Sequence, residues 1–258
     1  MMFAPEIDAS RQTRDPVAQR ILLVLEACAA RKSPLTLMDL VFATGLAKTT
    51  VHRMCWKLVE LGLLEHSIDG FMIGTKMFAL ANANPIINEI RVVAMPHLLH
   101  LQRIAGASDL AILTGNRALV IDGLFSRELR STPLIGVGLP LHCTAVGKAI
   151  TASLCMEDRE QLLGPGILRA ATRRTIVHPV VIRQHLDRVA ADGVALSHEE
   201  FQLGTHGVAA AFKVREGVWG AIGCVGAWNN SAISRSASHV TAAAAEVGRV
   251  FAESAKSV

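Results

Sequence analysis

The chain has 258 residues, 51% hydrophobic and 19% charged, which allows a sizeable core and two domains and excludes a disordered chain. Its formal net charge of +4 permits a polyanionic partner without requiring one. The five cysteines form no C-x-x-C pair, which excludes a disulfide framework and favours a reducing cytoplasm. No apolar run is long enough for a membrane span, and the N-terminal residues lack the apolar region of a secretory leader.

The N-terminal residues predict a flexible arm followed by two helices. Residues 1–15 show no apolar periodicity and are expected to form the arm. Apolar residues at three- and four-residue spacing predict an amphipathic helix over 17–30. A second helix is expected to begin at Thr36, which forms a capping-box pattern with Asp39, and to end near Thr44.

A third helix and a hairpin complete this N-terminal unit. The helix follows a turn at Gly45 and is expected over 47–61, with Gly62 as its C-cap. The Asp-Gly dipeptide at 69–70 marks a hairpin turn between two short strands. Helix, helix-turn-helix and hairpin together are typical of a winged helix-turn-helix, which we assign to residues 16–80.

The third helix has one apolar face and one polar face. At about 100° per residue, Val51, Cys55 and Leu58 share a narrow arc that predicts the core-facing side. The opposite side carries hydroxyl, guanidinium and amine groups, with no acid between residues 48 and 57, and such groups can reach phosphates and base edges in a major groove. A merely solvated face is the alternative interpretation. The candidate DNA-binding residues are Lys48, Thr49, Thr50, His52, Arg53, Trp56 and Lys57.

The second part of the chain, 81–258, mixes strands and helices after a linker helix. Pro85 and Pro96 are expected to interrupt the helical period at its start. Strand-like runs occupy 109–115, 118–125, 207–214 and 218–228. Helices are predicted around 143–154, 157–163, 179–192 and 236–255. This mixture predicts an α+β multidomain chain with a mixed α/β second domain.

Three patterns give weak support for catalysis, metal binding or phosphate binding. Cys143 lies beside His142 and close to Lys148, but adjacent residues rarely face each other and no orienting third group is evident. His97 and His100 share a helix face without a further ligand. The glycines before Lys148 lack the order of a phosphate loop. We therefore predict no catalytic residue, no metal and no cofactor.

The run GLAKTTVHRMCWKLVELGLLE, followed by GFMIG, resembles the N-terminal domain of the IclR family of bacterial transcriptional regulators. The matching positions are Gly45, Leu46, Lys48, Thr49, Thr50, Arg53, Leu58, Gly62 and Gly74. Two later segments, 138–152 and 192–212, resemble segments of the family's effector domain in the expected order. The resemblance covers most of the chain and implies a GAF-like fold for the second domain.

The resemblance also implies an effector pocket in that domain. Pocket positions of relatives that sense small carboxylates correspond here to Ala145, Val146, Ser197, Gly207, Gly223 and Val225. Gly207 stands where a cysteine can occur, and Gly223 and Val225 stand where serines can occur. The pocket is therefore expected to be roomier and less polar, and to prefer an aromatic or weakly polar effector. A pocket that has lost its ligand is the alternative.

The resemblance implies a repressor that binds a palindromic operator in double-stranded DNA as a homodimer or tetramer. Two positions depart from the family pattern. The wing carries Glu65 and Asp69 but no Lys or Arg, so it is expected to add little phosphate affinity, and Cys55 replaces a usual leucine. The alternative function is a small-molecule sensor or enzyme whose helix-turn-helix does not bind DNA.

Overall fold

A computed structural model describes residues 16–31, 33–125, 135–227 and 230–254, with no side chains described for 230–234. The predicted arm and the predicted element ends at 228 and 255 lie outside these residues. Contacts between Cα atoms divide the chain into two compact units between Asn88 and Glu89. The functional division at residue 80 stays a prediction. No described helix is long and apolar enough to cross a membrane.

The first unit has the predicted helix-turn-helix and hairpin. Its elements are α1 (Pro16–Ala29), α2 (Leu37–Thr44), α3 (Lys48–Glu60), β1 (Leu64–Ser67), β2 (Gly70–Ile73) and α4 (Thr75–Ala81). The predicted capping box is confirmed, because the Asp39 amide donates to the Thr36 hydroxyl at 3.2 Å and the Thr36 amide donates to the Asp39 carboxylate at 3.0 Å. Gly45 ends α2 in the left-handed region, with φ of 67°.

Helix α3 buries the face that its sequence predicts. Val51, Cys55 and Leu58 are buried in one core with residues of α1, α2 and the hairpin. The predicted C-cap is displaced by one position, because Leu61 is the C-cap in a right-handed conformation. Gly62 follows it with φ of 74°, so the glycine reverses the chain after the cap.

The hairpin turn differs by one residue from its prediction. Ser67 pairs directly with Gly70, so Ile68 and Asp69 form the loop and Gly70 begins β2. The glycine is needed for a close approach, because a β-carbon at Gly70 would lie 2.3 Å from the carbonyl oxygen of Leu35. Leu35 exchanges two backbone hydrogen bonds of 2.8 Å with Phe71 and thereby joins the segment before α2 to the wing.

The prolines do not interrupt the helix α5 (Pro85–Ala105) as predicted. Pro85 is its first residue, where the missing N–H would have no intrahelical partner. Pro96 lies inside the helix and removes one backbone hydrogen bond. The helix continues because its apolar face is fully buried at Ile90, Ala94 and Leu98.

The second unit is built on one antiparallel sheet. Its elements after α5 are β3 (Ala107–Thr114), β4 (Arg117–Phe125), β5 (Gly138–Pro140), α6 (Ala145–Ala152), α7 (Met156–Leu163), α8 (Pro179–Asp192), β6 (Ala195–His198), β7 (His206–Arg215), β8 (Val218–Gly226) and α9 (Asn230–Ser254). The strand order is β5-β4-β3-β8-β7-β6. The short strands β5 and β6 were not among the predicted runs, because three or four residues carry little periodicity.

Helices cover both faces of this sheet. Residues of α6 and α8 share one core with Ala111, Val120 and Ala209 of the sheet. Helix α9 packs against β7 and β8. The predicted α+β architecture, with a winged helix-turn-helix before a mixed α/β unit, is confirmed.

Candidate DNA-binding surface and effector cavity

The polar face of α3 is exposed as its sequence predicts. The buried side of the helix faces the core, so the opposite side is open to solvent along its length. Thr50 is half-buried, and its neighbours on that face are exposed: Lys48, Thr49, His52, Arg53, Trp56 and Lys57. All seven candidates therefore occupy one helix surface, and their contact with DNA stays a prediction.

The three cations of this surface differ in their partners. Among the described residues, neither Lys48 nor Arg53 forms an ion pair. Lys57 pairs with Glu60 at 2.9 Å, and both side chains are exposed. An exposed pair of this kind contributes little, so Lys57 can exchange Glu60 for a phosphate at small cost.

Trp56 connects α3 to the wing. Its indole N–H donates to Nε2 of His52 at 3.1 Å, and its ring lies 4.9 Å from His66 and 5.9 Å from Phe71 between centroids. The side chain is 41% exposed, so one edge of the ring still faces solvent. This contact fixes the angle between α3 and the hairpin, a role that helical periodicity alone does not reveal.

The wing's acidic residue Glu65 has a structural partner. Its carboxylate accepts a hydrogen bond of 2.9 Å from the backbone amide of Thr75, the first residue of α4. The amides of the first helical turn have no intrahelical partner, and a carboxylate also interacts favourably with the helix dipole. Glu65, one of the two acids of the wing, therefore caps the next helix.

A cavity of about 60 Å³ opens in the second unit between the start of α6 and the sheet. Five of the six predicted effector positions line it, and Gly223 does not. The full lining is Asp109, Val120, Phe125, Leu139, Thr144, Ala145, Val146, Ser197, Phe201, Gln202, Thr205, His206, Gly207, Cys224 and Val225. The predicted positions thus converge from four elements, α6, β6, β7 and β8, although their role in binding stays a prediction.

The N-terminus of α6 lies at this cavity. Thr144 is the N-cap, and its hydroxyl accepts from the Gly147 amide at 3.1 Å. Ala145 and Val146 hold the first two helical positions, whose amides have no intrahelical partner. Gly147 lets the helix start against the preceding loop, since a β-carbon there would lie 2.6 Å from the Cα of Leu141.

The expected extra room is not present. A β-carbon at Gly207 would lie 3.1 Å from the Cβ of Ala145, so the methyl group of Ala145 occupies that space. A β-carbon at Gly223 would lie 2.9 Å from Oδ1 of Asp109. The carbonyl oxygen of Val208, at 2.6 Å, and Asp109 therefore occupy this volume together, and Asp109 brings back a polar group from the neighbouring strand.

Asp109 is the acidic member of the ten lining residues that the sequence interpretation missed. The sequence predicts a strand from Asp109 onward but assigns no role to Asp109 itself. Its Oδ1 atom is buried and has no hydrogen-bond partner among the described residues. Burial raises the pKa of Asp109 to about 6. An acid at the start of an otherwise apolar strand was the available signal, because buried carboxylates are rare without a function or a partner.

A buried ion pair lies behind the cavity. Lys148 of α6 and Glu200 of the loop after β6 meet at 2.7 Å, with side chains 0% and 7% exposed. Burial lowers the pKa of Lys148, and attraction to Glu200 opposes this shift. Ser197 donates its hydroxyl to the carbonyl of Cys143 at 3.0 Å, which joins β6 to the loop before α6. These two contacts join α6 and the loop before it to β6 and the loop after it.

The catalytic and metal alternatives gain no support from this geometry. Cys143 is fully buried, and burial raises the pKa of its thiol to about 12, which disfavours the reactive thiolate. His142 makes a 2.9 Å hydrogen bond with the carbonyl of Arg169. His100 contacts His239 at 3.3 Å between ring nitrogens. In the described part of the chain, no group of three or more His, Cys, Asp or Glu residues could hold a metal ion.

Comparison with known proteins identifies the same two parts. The IclR helix-turn-helix domain matches residues 17–67, and the bacterial transcriptional regulator IclR C-terminal domain matches residues 87–249. The HTH-type transcriptional regulator Rv1719 of Mycobacterium tuberculosis is 30% identical over 84% of this chain and 83% of its own. The transcriptional repressor IclR of Escherichia coli is 28% identical over 74% and 72%.

Solved structures share the fold. An IclR homolog from Microbacterium hydrocarbonoxydans, crystallised in complex with 4-hydroxybenzoate, has a TM-score of 0.81 and 23% identity, over 92% of this chain and 99% of its own. The family models, the curated relatives and this fold agree with the order of domains found here. The chain belongs to the IclR family of bacterial transcriptional regulators.

Proposed function

We propose that this protein is a repressor that binds a palindromic operator through residues 16–80. In this proposal residues 81–258 hold a small organic effector and assemble a homodimer or a dimer of dimers in the cytoplasm. The observation that carries the proposal is the exposed face of α3, which has no acid from Lys48 to Lys57 and lies opposite a buried core face. Two-fold symmetry of the protein would then match two-fold symmetry of the operator.

Arg53 and Lys48 receive different roles in DNA binding. Arg53 lies near the middle of the exposed face, and a guanidinium is the usual bidentate partner of guanine in the major groove. Lys48 is the first residue of α3, where an ammonium group suits a phosphate contact. The exposed hydroxyl of Thr49 and the ring of His52 can add further donors. This division predicts that Arg53 contributes specificity and Lys48 contributes general affinity.

The effector is proposed to bind between the start of α6 and the sheet. Ligand pockets usually measure about 300–1,000 Å³, so a cavity of about 60 Å³ favours a compact effector. An aromatic effector would require the cavity to widen. An effector alters operator affinity only if it binds the two conformations of the protein with different affinity.

The proposal is tested by fluorescence anisotropy with the full chain and DNA from upstream of its own gene, at two salt concentrations. We expect sequence-selective binding that weakens as salt rises, because phosphate contacts release counterions. A shuffled fragment of equal length is the control. Binding that does not distinguish the two fragments would contradict the proposal and favour a sensor whose helix-turn-helix does not read DNA.

Lys48→Ala is expected to weaken binding to operator and shuffled DNA by similar factors. The slope of log affinity against log salt should become shallower by about 0.9, the value for one lost phosphate contact on duplex DNA. Lys213→Ala is the control, because Lys213 pairs with Glu216 in the second unit. An unchanged slope for Lys48→Ala would remove Lys48 from the phosphate contacts.

A further inference from the structure

Among its described lining residues, the cavity beside α6 has one acid and, apart from His206, no side chain that can carry a positive charge. Asp109 is the carboxylate of the described lining, and none of the described lining residues is Lys or Arg. Its Oδ1 atom is buried without a hydrogen-bond partner among the described residues. A buried acceptor without a donor costs free energy, so a ligand that supplies the donor is favoured there.

The sheet register explains why Asp109 lacks a lateral partner. In the antiparallel ladders Asp109 lies directly opposite Gly123 on β4 and directly opposite Gly223 on β8. Directly opposed residues project their side chains to the same face, and here both neighbours are glycines. The carboxylate is thus flanked on both sides by positions without side chains, and Asp109 lines the cavity with its Oδ1 atom beside Gly223.

The opposite wall has the reverse polarity. Ala145 and Val146, the first two residues of α6, line the same cavity, and the amides of a helix N-terminus favour an acceptor or an anion. A ligand that spans the cavity therefore meets donors at one end and an acceptor at the other.

We propose that Asp109 is a specificity-determining residue of the effector cavity, and that it selects compact molecules that carry a hydroxyl or ammonium donor at one end and a carboxylate or carbonyl at the other. This inference rests on the proposed function, because it takes the cavity to be the effector site. It goes beyond the family's implied positions, since Asp109 is not among them. It also disfavours diacids, whose second carboxylate would meet Asp109.

The test uses four small acids that differ at the end away from a shared carboxylate. 3-Hydroxypropionate, β-alanine and butyrate have chains of equal length that end in hydroxyl, ammonium and methyl, and malonate ends in a second carboxylate. Binding of each to the full chain is measured by isothermal titration calorimetry. We expect the hydroxyl or the ammonium acid to bind at least about tenfold more tightly than butyrate and malonate. The stronger of the two shows whether Asp109 prefers a neutral or a cationic donor.

Asp109→Asn is the matched variant. The amide keeps the shape of the side chain and removes its charge, so the preference for a donor over butyrate should fall to less than about threefold. The melting temperature of the ligand-free variant should rise, which also shows that it is folded. Asp122→Asn is the control, because Asp122 pairs with Arg91 at 2.9 Å and does not line the cavity.

Any of the following results would overturn the inference. They are equal binding of butyrate, tightest binding of malonate, and an unchanged preference in Asp109→Asn. Binding of none of the four acids by the wild type would also overturn it. Anisotropy on the same preparations separates this failure from that of the proposed function. Selective operator binding without a donor preference rejects only the role of Asp109, whereas loss of selective operator binding rejects the regulator itself.

Discussion

Lys148→Ala is expected to lower the free energy of unfolding of the second unit by about 3–5 kcal/mol. The substitution leaves Glu200 buried without its 2.7 Å partner, and Glu200 already has one oxygen with no partner among the described residues. An uncompensated buried charge costs far more than the loss of an exposed pair. Urea denaturation at fixed protein concentration, followed by circular dichroism, measures the change.

Lys213→Ala provides a matched control in the same unit. Lys213 and Glu216 also meet at 2.7 Å, but their side chains are 44% and 95% exposed. Its loss should cost less than about 1 kcal/mol. In a second control, Lys148→Met combined with Glu200→Gln should recover part of the stability, because no buried charge remains unpaired. Equal costs for Lys148→Ala and Lys213→Ala would contradict the buried ion pair.

Arg53→Ala is expected to reduce operator affinity by about 5- to 150-fold, the effect of losing one bidentate base contact worth roughly 1–3 kcal/mol. Affinity for shuffled DNA should fall much less, so the ratio of specific to nonspecific affinity should narrow. The reason is that Arg53 is exposed at the centre of the α3 face and has no ion pair among the described residues. Anisotropy with operator and shuffled duplexes at one salt concentration measures both affinities.

Two variants control for this result. Arg53→Lys keeps the charge but lacks the planar fork of the guanidinium, so it should retain nonspecific affinity and lose most of the specificity. Arg249→Ala removes an arginine that pairs with Glu246 and Glu253 on α9, and we expect it to bind as the wild type does. If Arg53→Ala binds the operator with unchanged affinity, the exposed face of α3 is not the recognition surface.

Local sequence signals predicted the first unit well because its structure depends on near neighbours. The capping box of Thr36 and Asp39 and the reversal at Gly45 involve residues within one turn. The two faces of α3 follow directly from helical periodicity. The sequence predicts that Gly70 belongs to the turn. The structure requires a glycine there for another reason, because a side chain would collide with the carbonyl of Leu35, which is distant in sequence. The sequence predicts an interruption at Pro96, because it does not show that burial of the apolar face of α5 compensates for the lost hydrogen bond.

The effector cavity also combines features that the sequence predicts with features that depend on residues distant in sequence. Positions inferred from the family resemblance, such as Ala145 and Ser197, do line it. The resemblance nevertheless predicts extra volume at Gly207 and Gly223, because a comparison of sequence positions does not include the atoms that lie beside each glycine in the fold. Asp109 reaches the cavity only because β3 lies between β4 and β8 in the sheet. Its carboxylate is more than one hundred residues away in sequence from the glycine whose space it fills.

The sequence by itself determined the family, the order of the two parts, the helix-turn-helix and the polar face of α3. These features rest on periodicity, caps and motifs, in which residues act on partners a few positions away. Only the tertiary structure decided the partner of Glu65, the pairing of Lys148 with Glu200 and the position of Asp109 in the cavity. Each of those depends on strand register or helix packing, which bring together side chains from distant segments and thereby set burial, charge and available volume.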